Sequence, residues 1–178
     1  MHTRTRPTDM PFFLRAIDAI VSVIGNGVAW LLVPMVIGQF ALVLLRYVFG
    51  IGTIMGQEAV IFGHGTIFMV IAGLVMQRDE HVRVDIWYTR LGQRGRAKVD
   101  TFGLAVFVLP LCALILIVGW PYVASSWAIL EGSRETSGLP LVFVHKTMVL
   151  VFAALLALQA LAELIRKLSV LLGFAEER

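Results

Sequence analysis

Several ionisable or ligand-type side chains stand inside or beside long apolar runs, where each is a candidate for chemistry. Arg46 and Glu58 flank an uncharged turn, GIGTIMG (residues 50–56), so they lie at similar depth at one end of a tight hairpin. Opposite charges so placed can clamp the hairpin or grip a partner; the simpler account is two long side chains reaching the headgroups. His64 and His145 fall at one depth in two different apolar runs, as a haem with two axial histidines would need. Helix-facing hydrogen bonding is the plainer account, since His145 sits at a boundary beside Lys146. His81 and Asp85, four residues apart, can share a helix face, a weak metal pair that reads better as an interface cap among arginines. Glu163 has Arg166 and Lys167 three and four residues on, the spacing of a helix-surface ion pair. The single cysteine, Cys112, lies in an apolar run and packs as a small apolar filler; alone it excludes a disulfide framework and a multi-Cys metal site.

Other chemistry is missing. The chain has no glycine-rich phosphate loop, no Cys–His constellation and no nucleophile with a base at a recognisable spacing. Nor does it show the paired, interrupted helices of a transporter's own substrate site. These residues predict no catalytic group, no substrate site, no metal and no cofactor. They describe a membrane part that works with something else. The net charge of +3 does not signal nucleic acid, because no basic patch is interleaved with stacking aromatics.

The elements that position these residues follow from composition. Apolar residues make up 58% of the 178, charged residues only 15%, and mean hydropathy is +0.85. Soluble chains average about 45–50% apolar and about 25% charged. A span needs roughly 20 apolar residues, and four such stretches are present, at about residues 19–49, 57–77, 102–122 and 141–165. The fold class expected is therefore an all-α integral membrane protein, one domain over residues 1–178, with four transmembrane helices. The first stretch is too long for a signal peptide and reads as an uncleaved anchor. From Ala16 to Phe49 it would run roughly 51 Å as a helix, so it tilts or lays its start along the interface. Pro34 marks a kink in mid-span, and Asn26 and Gln39 are expected to face other helices. Small residues (Gly63, Gly65, Ala72, Gly73) allow close packing of the second span.

Between the second and third spans lies QRDEHVRVDIWYTRLGQRGRAKVD, residues 77–100, with six of the fifteen Lys and Arg. Residues 79–98 read as a short interfacial amphipathic helix with Trp87 and Tyr88 at headgroup level and Arg83 among its charges. Four spans put this strip on one side with both termini, giving that side twelve basic residues against three, Arg46, Arg134 and Lys146. Short loops rich in Lys and Arg stay in the cytoplasm. Both termini are thus expected inside.

RYVFG closing the first span, QEAVIFGHGTIFMVIAGLVMQRDEHVRVD and SGLPLVFVHK together resemble the small, DctQ-type membrane subunit of tripartite ATP-independent periplasmic (TRAP) transporters, over nearly the whole chain. Where many relatives carry two acids, this chain has Gln57 before Glu58. The resemblance implies a bacterial inner-membrane complex. In it a large multi-span subunit moves the substrate, commonly an organic acid, on a sodium gradient, and a periplasmic binding protein delivers it. It implies that the small subunit braces the static part of the large one without a substrate site of its own. Arg46, Glu58, His64, His81, Arg83, Asp85 and Trp87 are then candidates for the subunit interface or its support, and Glu131, Arg134 and Glu135 for contact with the binding protein. The competing readings are a haem-bearing anchor of a respiratory complex and a small proton-coupled exporter using Glu58.

Overall fold

The computed structural model describes residues 11–78 and 91–172, and every long element among them is a helix. Helix α1 is Phe12–Ala29, α2 Leu32–Val48, α3 Ile54–Gln77, α4 Gln93–Gly103, α5 Leu109–Ala128 and α6 Val142–Leu171. A π-helical turn, Leu104–Val108, joins α4 to α5. Four stretches are long and apolar enough to cross a membrane: Phe12–Val48, Ile54–Gln77, Arg94–Ala128 and Val142–Leu171.

Proline chemistry explains the two irregularities. Pro34 has no amide hydrogen and its ring presses on the carbonyl four residues back, that of Trp30. There the chain breaks between α1 and α2, and the Trp30 carbonyl instead accepts from the Val33 amide at 3.3 Å. Pro110 likewise cannot donate to Val106. The ladder ahead of it widens by one residue, with the Leu109 amide bonding the Leu104 carbonyl. Pro121 does not end the third span, which runs on to Ala128, beyond the expected residue 122. One lost hydrogen bond costs less than unpairing the backbone of six further residues in hydrocarbon. The third span also starts earlier, so residues 93–98, expected in an interfacial segment, form its first turns. Residues 79–90, the rest of that segment, lie outside the described residues.

The hairpin turn was expected because the segment between the spans is short and uncharged. Gly50 adopts φ +68°, the left-handed conformation that glycine takes without penalty, and the Ile51 amide bonds back to the Leu45 carbonyl at 2.9 Å. Thr53 then caps α3 by accepting from the Gly56 amide at 3.2 Å.

Helix α6 is the central element. It is 30 residues long, about 45 Å, and packs against α3, α5, α4 and α1. Ala153, Ala160 and Ala162 are fully buried on it, because small side chains let neighbouring backbones close in where lipid supplies no hydrophobic force. Helix α3 packs on α6 on one flank and on α1 and α2 on the other. Helix α2 packs chiefly on α3 and buries none of its residues. The helices thus stand as a slab rather than a closed bundle, and both broad faces carry exposed apolar side chains.

Candidate functional site

Polar side chains concentrate at the two ends of the slab. At the end of the α2–α3 hairpin, Glu58 stands in the second turn of α3. Its carboxylate accepts from the Ser133 hydroxyl at 2.5 Å and from the Leu139 amide at 2.6 Å. Both donors belong to the α5–α6 loop, which also closes on itself: the Ser133 amide bonds the Leu139 carbonyl and the Gly138 amide the Glu135 carbonyl. Arg46, at the end of α2, is exposed and has no ion-pair partner among the described residues. The hairpin therefore does not bring Arg46 and Glu58 into contact. The loop amide and hydroxyl take the carboxylate instead.

Glu131 is a second staple on the same loop. It accepts from the Lys146 ammonium at 2.5 Å and from the Ser126 hydroxyl at 2.6 Å. These two donors, Lys146 foremost, hold its carboxyl below the ordinary carboxylate range. Lys146 also sits 4.2 Å from the centre of the Tyr122 ring, and the Trp127 indole donates to Thr147 at 2.9 Å. Glu131 is thus turned inward, onto α5 and α6, rather than offered outward. Arg134 and Glu135 are exposed.

At the opposite end one guanidinium bridges two helices. Arg166 donates to Asp18 of α1 at 2.6 Å and to Glu163 at 2.5 Å. Gln159, wholly buried, points its amide nitrogen at both carboxylates, 3.4 Å from each. Lys167 pairs with Asp100 of α4 at 3.2 Å, not with Glu163. Gln77, the last residue of α3, accepts from Ser22 at 2.8 Å and donates to the Asp18 carbonyl at 3.0 Å. Arg78 donates to Asn26 at 3.0 Å. The start of α1, the ends of α3 and α6, and α4 are therefore pinned together at one end. The Glu163–Arg166 pair was legible at three-residue spacing. Asp18, Gln159 and Asp100 were not singled out, although Gln159, Glu163 and Arg166 lie on one helix face and Gln159 interrupts an apolar run.

The two histidines are not brought together. His145 stacks on Phe62 with centroids 4.4 Å apart and planes 4° apart. Its ring lies so close to Gly65 that a Cβ there would meet its Cε1 at 2.6 Å. His64 turns the other way, into an open groove of about 500 Å³ between α2 and α3. Among the described residues no three His, Cys, Asp or Glu side chains converge as metal ligands would. His81, Arg83, Asp85 and Trp87 lie outside the described residues.

An all-helical slab with four membrane-crossing stretches, stapled by polar clusters at its ends, is the architecture of a multi-pass membrane protein. The family model for the DctQ component of tripartite ATP-independent periplasmic transporters matches residues 35–170, and the chain belongs to that family. It is a small permease subunit of a TRAP transporter. No curated protein and no solved structure matches the chain.

Proposed function

We propose that this subunit is a non-catalytic brace. Both of its termini face the cytoplasm of a bacterial inner membrane, and it holds the large transport subunit during uptake of organic acids driven by a cation gradient and delivered by a periplasmic binding protein. The observation that supports it best is the stapled slab: polar contacts lock the helices at both ends, while apolar side chains stay uncovered along α2 and α5. Such a body is rigid without being self-contained. The twelve-to-three split of basic residues supports the orientation, and three of those twelve, Arg78, Arg166 and Lys167, bond to α1 or α4 at one end of the slab. The Arg134–Thr136 tip of the stapled loop then faces the periplasm as a preformed platform for the binding protein.

Reconstitution by omission tests this. Vesicles with the large subunit, this chain and the binding protein should take up a labelled acid under a sodium gradient, and omission of this chain should abolish uptake. Uptake by this chain alone, or equal uptake without it, defeats the proposal. Reporter fusions at Thr136 and at the C-terminus should report opposite sides of the membrane.

A further inference from the structure

Among the described residues, Gln39 and His64 are polar side chains exposed in mid-span without a hydrogen-bond partner, whereas Asn26, also exposed, accepts from Arg78. Gln39 lies about ten residues below the hairpin turn on α2, and His64 about ten residues below it on α3, each roughly 15 Å down at the helical rise. Both are exposed, neither has a hydrogen-bond partner among the described residues, and both line the α2–α3 groove. Phe40 and Val36, 63% and 55% exposed, form part of its apolar wall. The corresponding depth of α5 is different. Leu114, Ile117 and Val118 are exposed there with no polar neighbour among the exposed positions.

An amide and an imidazole in hydrocarbon each lack the donors and acceptors that water would supply. Acyl chains cannot replace them. A polar group at membrane depth is tolerated where another protein surface offers it a partner. We infer that the α2–α3 groove receives a transmembrane helix of the large subunit carrying a hydroxyl, an amide or a freed backbone carbonyl at mid-membrane, bonded to Gln39 and His64. The α5 face is left to lipid. The volume of the groove suits bulky side chains of such a helix. This rests on the proposal that the chain braces a larger subunit, and it specifies the face that does so.

The test uses the co-expressed complex with a photo-crosslinking benzoylphenylalanine in place of Phe40, or of Ile117 (73% exposed) as the depth-matched control. Adducts to the large subunit are expected from position 40 and not from 117. In parallel, Gln39→Leu and His64→Leu should each lower the large subunit retained on a tag by roughly threefold to twentyfold, the range of one interhelical hydrogen bond, with the helicity of the isolated chain unchanged. Unchanged or higher retention would mean that these side chains face lipid. An adduct at twice the mass of this chain would mean a second copy fills the groove, and adducts from 117 alone would mean another face is used. Each of these overturns the inference while the complex itself, still assembled, leaves the bracing role standing. Failure of the unsubstituted chain to retain the large subunit overturns both.

Discussion

Arg166→Met removes the only cation that the described residues place between two carboxylates, Asp18 and Glu163. In the native chain the guanidinium is bonded to Asp18 at 2.6 Å and to Glu163 at 2.5 Å, and its side chain is 18% exposed, against 28% and 21% for its partners. Stripping one partner from a fully buried pair costs about 3–5 kcal/mol, because the charge left behind has no compensation. Partial exposure here reduces that to roughly 2–3 kcal/mol, since water can reach the stranded carboxylates. Asp18→Asn leaves Arg166 bonded to Glu163 and should cost only about 1.5 kcal/mol, the lower end for a bond to a charged group. The triple variant Asp18→Asn, Glu163→Gln, Arg166→Met holds no charge, so it should be more stable than Arg166→Met alone. The assay is reversible unfolding of the purified chain in mixed micelles, titrated with dodecyl sulfate and followed by helical circular dichroism. If Arg166→Met matched Asp18→Asn, or the triple variant were the least stable of the set, the guanidinium would not be neutralising an enclosed acidic pair.

Four further outcomes are expected. Glu58→Ala should leave the helices intact yet speed hydrogen exchange of the Leu139 amide by roughly tenfold or more, because a charge-assisted acceptor is lost. Arg46→Ala and Glu58→Ala should be additive in complex retention, since the two side chains share no contact; a coupling would contradict the geometry. Gly65→Ala places a methyl 2.6 Å from the His145 ring and should destabilise by about 1–3 kcal/mol, with part of the loss recovered when His145→Ala is added. The Glu131 staple should be pH-sensitive on the acid side. Its folded pKa lies below the ordinary 4.5, so its stabilisation is present above that value and is lost as pH falls through the lower folded one. Indole fluorescence at Trp127 should show the loosening, and Glu131→Gln should remove that pH dependence.

What the sequence revealed was local, and what it hid was distant. The Pro34 break and the Gly50 turn are written into a few adjacent residues, and so were expected at the right places. Glu163 and Arg166 are three residues apart, close enough for helical spacing to predict their pairing. Asp18 and Arg166 are 148 residues apart, and no periodicity in either segment announces the other. Lys167 was misassigned for the same reason: its carboxylate, Asp100, comes from α4. Arg46 was one candidate partner for Glu58 because both flank one turn, yet the donors that Glu58 uses lie 75 and 81 residues away. The span past Pro121 was cut short because proline is a strong stop in water and a weaker one in lipid, where an unpaired backbone has no solvent to turn to.

Helix α3 holds the loop by a carboxylate in its second turn and holds α1 by the amide of its final residue. Its 24 residues make a strut of about 36 Å fastened at either tip to a different piece of the molecule. A push on the loop is therefore carried lengthwise to the far side with little slack between. A binding protein docked on that tip, as proposed above, would lean on the same rod that steadies the arginine clamp below.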